Sequence, residues 1–181
     1  RMGMNLIRDE LEDLSFSVLN KEARDLIVER LKFIKNNRTN NFKNIADDLM
    51  RLLRENGISA KFAGREKTPF SIWRKIQNKK ISLEHLSDII GFRVIVDNVS
   101  DCYNTLGILH SNYSAIPLKF KDYISTPKIN KYQSIHTAII GPKDQRVEIQ
   151  IRTSQMHDFA ERGVASHWKY KSSEKFSDLS W

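Results

Sequence analysis

The chain has 181 residues, 40% of them hydrophobic and 29% charged, with a formal net charge of +8. That length suits one domain with a sizeable core, and the lone Cys102 excludes an internal disulfide and a thiolate zinc cluster. The positive excess favours anionic partners, no apolar run approaches the roughly 18 residues of a membrane span, and no secretory leader precedes the first helix, so a cytosolic chain is expected.

In chain order, apolar residues spaced by three and four predict a helix over 6–36, carried by Leu11, Leu14, Val18, Leu26, Ile27, Leu31 and Ile34. A second is expected over 41–55 through Ile45, Leu49, Leu52 and Leu53, with Gly57 as its stop. ISAKFAG then reads as a short strand. Thr68-Pro69 is a good helix start, a hydroxyl cap followed by proline at the first helical position, with Phe70, Ile72, Trp73 and Ile76 as the core side. Residues 83–90 read as a short helix, 92–97 (FRVIVD) as a strand, and 101–113 as a helix whose Cys102 is a buried structural thiol. A polar, proline-punctuated loop is expected over 117–130. Strands over 134–140 and 146–153, joined by GPKDQ, resemble a hairpin, and a last helix runs from 154 to about 170. Strands mixed with helices in this order indicate an α+β fold, a mixed β-sheet flanked by helices.

Four stretches carry chemistry. In RVEIQIRT, Val147, Ile149 and Ile151 fall on one side of a strand, while Arg146, Glu148, Gln150 and Arg152 fall on the other. In GREKTPFSIWRK, Gly64 permits a tight backbone approach, Arg65 and Lys67 bring positive charge, and a capped helix begins directly afterwards. Free amides at a helix start beside fixed cations suit a phosphate, although a basic solvated helix start reads the same way. Ser71 and Lys75, one turn apart, line one side of that helix. Asp88 stands just before the strand that holds Arg93. The loop KDYISTPKINKYQSIH interleaves Lys121, Lys128 and Lys131 with Tyr123, Tyr132, Asn130 and His136, a composition suited to phosphate and purine together. His157-Asp158 alone does not make a metal phosphohydrolase, which needs further His and Asp ligands elsewhere.

Taken in register, GREKTPFSIWRK, SDIIGFRVIV, KINKYQSIHTAIIGP and VEIQIRTSQMHDFAERGVASHWKYK resemble the synthetase domain of the RelA/SpoT family, the makers of (p)ppGpp. The resemblance implies a nucleotidyltransferase-like synthetase fold, with a core over 60–171, an N-terminal helical segment over 1–59 packing on it, and a polar tail over 172–181. It implies transfer of the pyrophosphate of ATP to the 3′-hydroxyl of GTP or GDP, releasing AMP. By motif position Asp88 and Glu148 would hold Mg²⁺ (or Mn²⁺), and Glu148 would also accept the hydroxyl proton. Arg65 and Arg93 would sandwich adenine, while Lys67, Ser71 and Lys75 hold the ATP phosphates. Tyr132 would stack on guanine, with Lys128, Asn130, His136 and Gln150 around the guanosine nucleotide; Arg152 receives no role. No membrane and no stable nucleic-acid partner is expected, and homo-oligomer formation is left open. The upstream part is too short for the hydrolase domain of the long family members, so synthesis without hydrolysis is expected. The chain departs from the family at Lys131, where glycine is usual, at Phe70 in place of tyrosine, and at SLEH over 82–85, which leaves metal preference and the choice of GDP or GTP open. The other reading is a catalytically weak nucleotide-binding regulatory module of the same fold.

Overall fold

The computed structural model describes residues 5–64, 68–79 and 90–163. Its elements are α1 (Asn5–Leu19), α2 (Lys21–Glu55), β1 (Ala60–Gly64), α3 (Pro69–Lys79), β2 (Ile90–Val96), α4 (Val99–Asn112), β3 (Ser114–Ala115), β4 (Lys121–Asp122), β5 (Ile135–Ile140), β6 (Arg146–Thr153) and α5 (Ser154–Arg162). The strands form one mixed sheet in the order β1-β2-β6-β5-β3, with β4 also paired to β5. Only β2 and β6 run parallel to each other, and the other pairs are antiparallel. The expected α+β architecture is therefore present.

Alternation in the strands builds the core. Phe92, Val94 and Val96 of β2 lie beside Val147, Ile149 and Ile151 of β6 and Ile135 and Ile139 of β5, all buried. Against this face pack Ile45, Leu49 and Leu53 of α2 with Cys102 and Leu109 of α4. Each such side chain removed from water contributes roughly 1.5–3 kcal/mol, so the face is committed to the interior. Burial pushes the Cys102 thiol up to about 11, as suits the structural role expected of it.

The helices differ from expectation in where they break. The predicted helix over 6–36 is interrupted at Asn20 (φ −141°, ψ 55°), whose carbonyl accepts the Arg24 amide to start α2. The bend lets Arg24 reach back to Asp13 on α1 at 2.6 Å. The predicted gap between 36 and 41 is instead continuous helix. The polar run NRTNN contains neither proline nor glycine, and residues such as Asn and Thr each cost only about 0.7 kcal/mol or less in a helix, too little to stop one held by packing at its far end. The short helix predicted over 83–90 lies outside the described residues except for Ile90, which belongs to β2. The hairpin of β5 and β6 is as expected, closed by a tight turn at Pro142–Asp144, and the loop expected over 117–130 is interrupted by β4.

Helix α3 begins as expected: the Thr68 hydroxyl accepts the Ser71 amide at 3.2 Å. Its apolar side docks on the other helices, Ile72 being buried with Phe16 and Ile27 while Phe70, Trp73 and Ile76 pack around them. Gly64, which ends β1, serves packing. A Cβ there would stand 2.9 Å from the Phe42 ring, and that ring is fixed against Phe92, 4.4 Å between centroids.

Candidate active site

The second face of the sheet carries the polar side chains of RVEIQIRT. Register places Gly91 beside Glu148, Arg93 beside Gln150, and Ile95 beside Arg152. On the other side of β6, Gln150 faces His136 and Glu148 faces Ala138, and His136 in turn faces Lys121 of β4. Arg93, Gln150 and His136 thus form one transverse row, with neighbouring strands about 4.8 Å apart. Helix α5 covers part of this face, because Thr153 at the end of β6 caps it through the Met156 amide. The strand faces a roofed polar surface, where Gln150 is 8% exposed and Arg152 only 1%.

At the His136 end the loop folds back into an aromatic box. The Tyr132 hydroxyl and His136 Nε2 are 2.9 Å apart. The Lys128 ammonium stands 4.5 Å from the Tyr123 ring centre and 5.2 Å from that of Tyr132, a cation over two electron-rich faces. The Asn130 carboxamide accepts the Tyr132 amide, and Asp122 holds the other end of the loop by accepting the amides of Ile124 and Ser125 and the Tyr103 hydroxyl. Those bonds hold the Asp122 carboxyl below its ordinary range, against the opposing effect of burial. Tyr123, given no role from the sequence, is part of the box; the alternation of lysines with rings was its only signal.

Lys131 takes φ 60°, the left-handed region, and its amide donates to the Lys128 carbonyl at 2.7 Å. The backbone that glycine suits is kept here by a lysine, at a cost of about 1–2 kcal/mol. Lys131→Gly should therefore raise the melting midpoint by about 2–4 °C per kcal/mol recovered, for a chain of this size. A calorimetric melt that stays level or falls would show that the lysine side chain compensates for its backbone.

The opposite end of the row is closed by charges. Arg152 donates to His157 Nδ1 at 2.6 Å and to Glu161 at 3.3 Å, and Glu161 also pairs with Arg93 at 3.3 Å. A guanidinium only donates, so Nδ1 of His157 accepts and the ring is neutral. Burial, and then the Arg152 charge, push the His157 pKa below its ordinary value. The unfolded chain therefore binds a proton that the native one refuses, and this contribution to stability is lost as pH falls through about 6.5. Burial lowers His110 with the same sign. His157→Gln should flatten the fall in thermal stability between about pH 7 and pH 5; an unchanged slope would place the effect elsewhere.

The structure thus brings together Arg93, Glu148, Gln150, His136, Tyr132, Lys128 and Asn130. Ser71 and Lys75 lie half-buried on α3, and the Ser71 hydroxyl donates to the Thr68 carbonyl. Arg65, Lys67 and Asp88 lie outside the described residues. Among the described residues no three His, Cys, Asp or Glu side chains gather as metal ligands, and no helix is long and apolar enough to cross a membrane. A magnesium ion held by two carboxylates and substrate phosphates needs no such cluster.

A model of the region found in RelA / SpoT proteins matches residues 64–175. The chain belongs to the RelA/SpoT family. It is 49% identical over 171 residues to a GTP pyrophosphokinase rsh of Brucella melitensis, and 42% identical over 171 residues to a GTP pyrophosphokinase of Myxococcus xanthus. Each match covers 94% of this chain and 23% of the relative, so the chain spans about a quarter of these RelA/SpoT proteins. Two solved structures share its fold. Small alarmone synthetase 2 of Bacillus subtilis aligns with TM-score 0.52 and 31% identity over 77% of this chain and 82% of that one. Small alarmone synthetase 1 of the same organism, bound to its product pppGpp, aligns with TM-score 0.54 and 25% identity over 79% and 81%. The RelA/SpoT match runs from Gly64, the last residue of β1, through α5, the segment that carries the polar face.

Proposed function

We propose that this chain is a (p)ppGpp synthetase, moving the pyrophosphate of ATP to the 3′-hydroxyl of GTP or GDP with release of AMP. The observation that carries it is the polar face of β6, the strand between β2 and β5, where Glu148 stands two residues before Gln150, itself flanked by Arg93 and His136. Two nucleotides bound on those two flanks would meet at one carboxylate. The names of the relatives and the pppGpp of one structural neighbour support this reading.

In this reading Tyr132 stacks on guanine, its ring held by the Lys128 cation and the His136 bond, and Lys128, Asn130, His136 and Gln150 surround the rest of the guanosine nucleotide. Arg93 and Arg65 hold adenine, and Lys67, Ser71 and Lys75 meet the ATP phosphates at the capped start of α3. Glu148 takes the proton from the 3′-hydroxyl as it attacks the β-phosphorus. Glu148 with Asp88 would hold a divalent cation, Mg²⁺ before Mn²⁺. Both are hard oxygen donors, and Ile90, two residues after Asp88, pairs with Val147 next to Glu148. When bound, the ion supplies charge neutralisation as the bridging bond breaks. Residues 60–171 would form the catalytic unit and 1–59 its helical support, working in the cytoplasm.

Lys131 favours a second reading, a weakly active regulatory module that keeps the pocket. One assay separates the two. With ATP, GDP or GTP and Mg²⁺, AMP should appear together with a 3′-pyrophosphorylated guanosine. Nucleotide binding without that product would establish the module in place of the enzyme.

A further inference from the structure

Glu161 has no part in the chemistry just described, yet its carboxylate is shared by Arg93 and Arg152 of the polar face. A single oxygen, Oε1, lies 3.3 Å from Arg93 and 3.3 Å from Arg152. Its side chain is 15% exposed and that of Arg152 is 2% exposed, so water screens the pairs little. Two guanidinium groups share one carboxylate, His157 is neutral, and the group keeps a net positive charge. The Nε atoms of Arg93 and Arg152 are both buried without a hydrogen-bond partner. Such donors are ordinarily satisfied, so the arginines are held where they are by their terminal nitrogens, and Glu161 provides the hold on Arg93.

The geometry points to Glu161 as a positioning residue that sets the Arg93 guanidinium for the adenine of ATP, with Arg152 as its buried anchor. This rests on the reading of Arg93 as an adenine-binding residue. The physical reason is strand geometry: Arg93 sits on β2 with Gln150 beside it, and a long side chain there has many rotamers. A carboxylate delivered from α5 selects one of them before the nucleotide arrives, which removes an ordering cost from binding. Arg152, fixed in turn by His157, keeps Glu161 from swinging wholly to Arg93 and closing over its flat face. The role predicts a larger effect on ATP than on the guanosine substrate, because Glu161 pairs with Arg93 directly and reaches the Tyr132 box only through Arg152.

The test is a double-mutant cycle with two readouts. Glu161→Gln should raise KM for ATP, and the dissociation constant of a non-hydrolysable ATP analogue measured by calorimetry, roughly tenfold. KM for GDP and kcat should change by no more than about twofold. In an Arg93→Ala background the same substitution should add little further loss for ATP. Equal weakening of ATP and GDP, or a full additional loss when Arg93 is already gone, would overturn the proposal and leave Glu161 a structural residue. Glu161→Asp, which keeps the charge, should recover part of the ATP affinity; no recovery would count against it. A wild-type chain that binds the analogue but makes no product refutes the synthetase reading alone, because the calorimetric cycle still reports on Arg93.

Discussion

Glu148→Gln should lower kcat by about a thousandfold or more, roughly 4 kcal/mol of transition-state stabilisation, while both nucleotides still bind within several-fold of wild type. The amide fills the same volume and accepts a hydrogen bond, so the sheet face survives. It loses the negative charge that would hold a divalent cation and the basicity that would take the hydroxyl proton. Glu148 faces Gly91 on one side and Ala138 on the other, two small neighbours that leave room beside it for a substrate. A rate assay with separate binding titrations decides the matter. Normal kcat in the variant would remove Glu148 from the chemistry and, with it, the central carboxylate of the proposed mechanism.

The second large effect belongs to Tyr132. Tyr132→Ala should weaken the guanosine substrate by about ten- to a hundredfold, the range of one lost base-stacking contact, and leave ATP nearly untouched. Tyr132→Phe separates the ring from the hydroxyl. It keeps the surface over which Lys128 lies at 5.2 Å and removes the hydroxyl with its 2.9 Å bond to His136. The phenylalanine variant should therefore retain most of the affinity. Equal losses of GDP and ATP in the alanine variant would argue against stacking, and equal losses in both variants would shift the recognition from the ring to the hydrogen bond.

Local sequence was enough for features that depend on nearest neighbours. The period of RVEIQIRT places Glu148, Gln150 and Arg152 on one face wherever the strand lies, since alternate residues point to opposite sides. Thr68 before Pro69 marks the start of α3 because capping needs only the residues that follow it. The left-handed turn at Lys131 was foreseeable for the same reason: that position usually carries glycine in the family, and a turn of this kind constrains one residue at a time. The helix boundary was legible less well. The helix breaks at Asn20, where the bend brings together Asp13 and Arg24, eleven residues apart, while the polar run at 37–41 passes without a break because helices stop where the backbone or packing forces them to.

What only the tertiary structure decided is what the polar face looks at. Parallel pairing of β2 with β6 puts Arg93 next to Gln150, and the turn into α5 brings Glu161 back over both arginines, 68 positions from one and 9 from the other. No periodicity in the chain carries that information. Gly64 makes the same point, since its small size answers to the Phe42 ring on a distant helix. Residue types and spacings by themselves determined which side chains share a face and which family they resemble. Which of them meet was set by the strand order and the helix laid across it, because electrostatic and packing partners are chosen by distance in space and not along the chain.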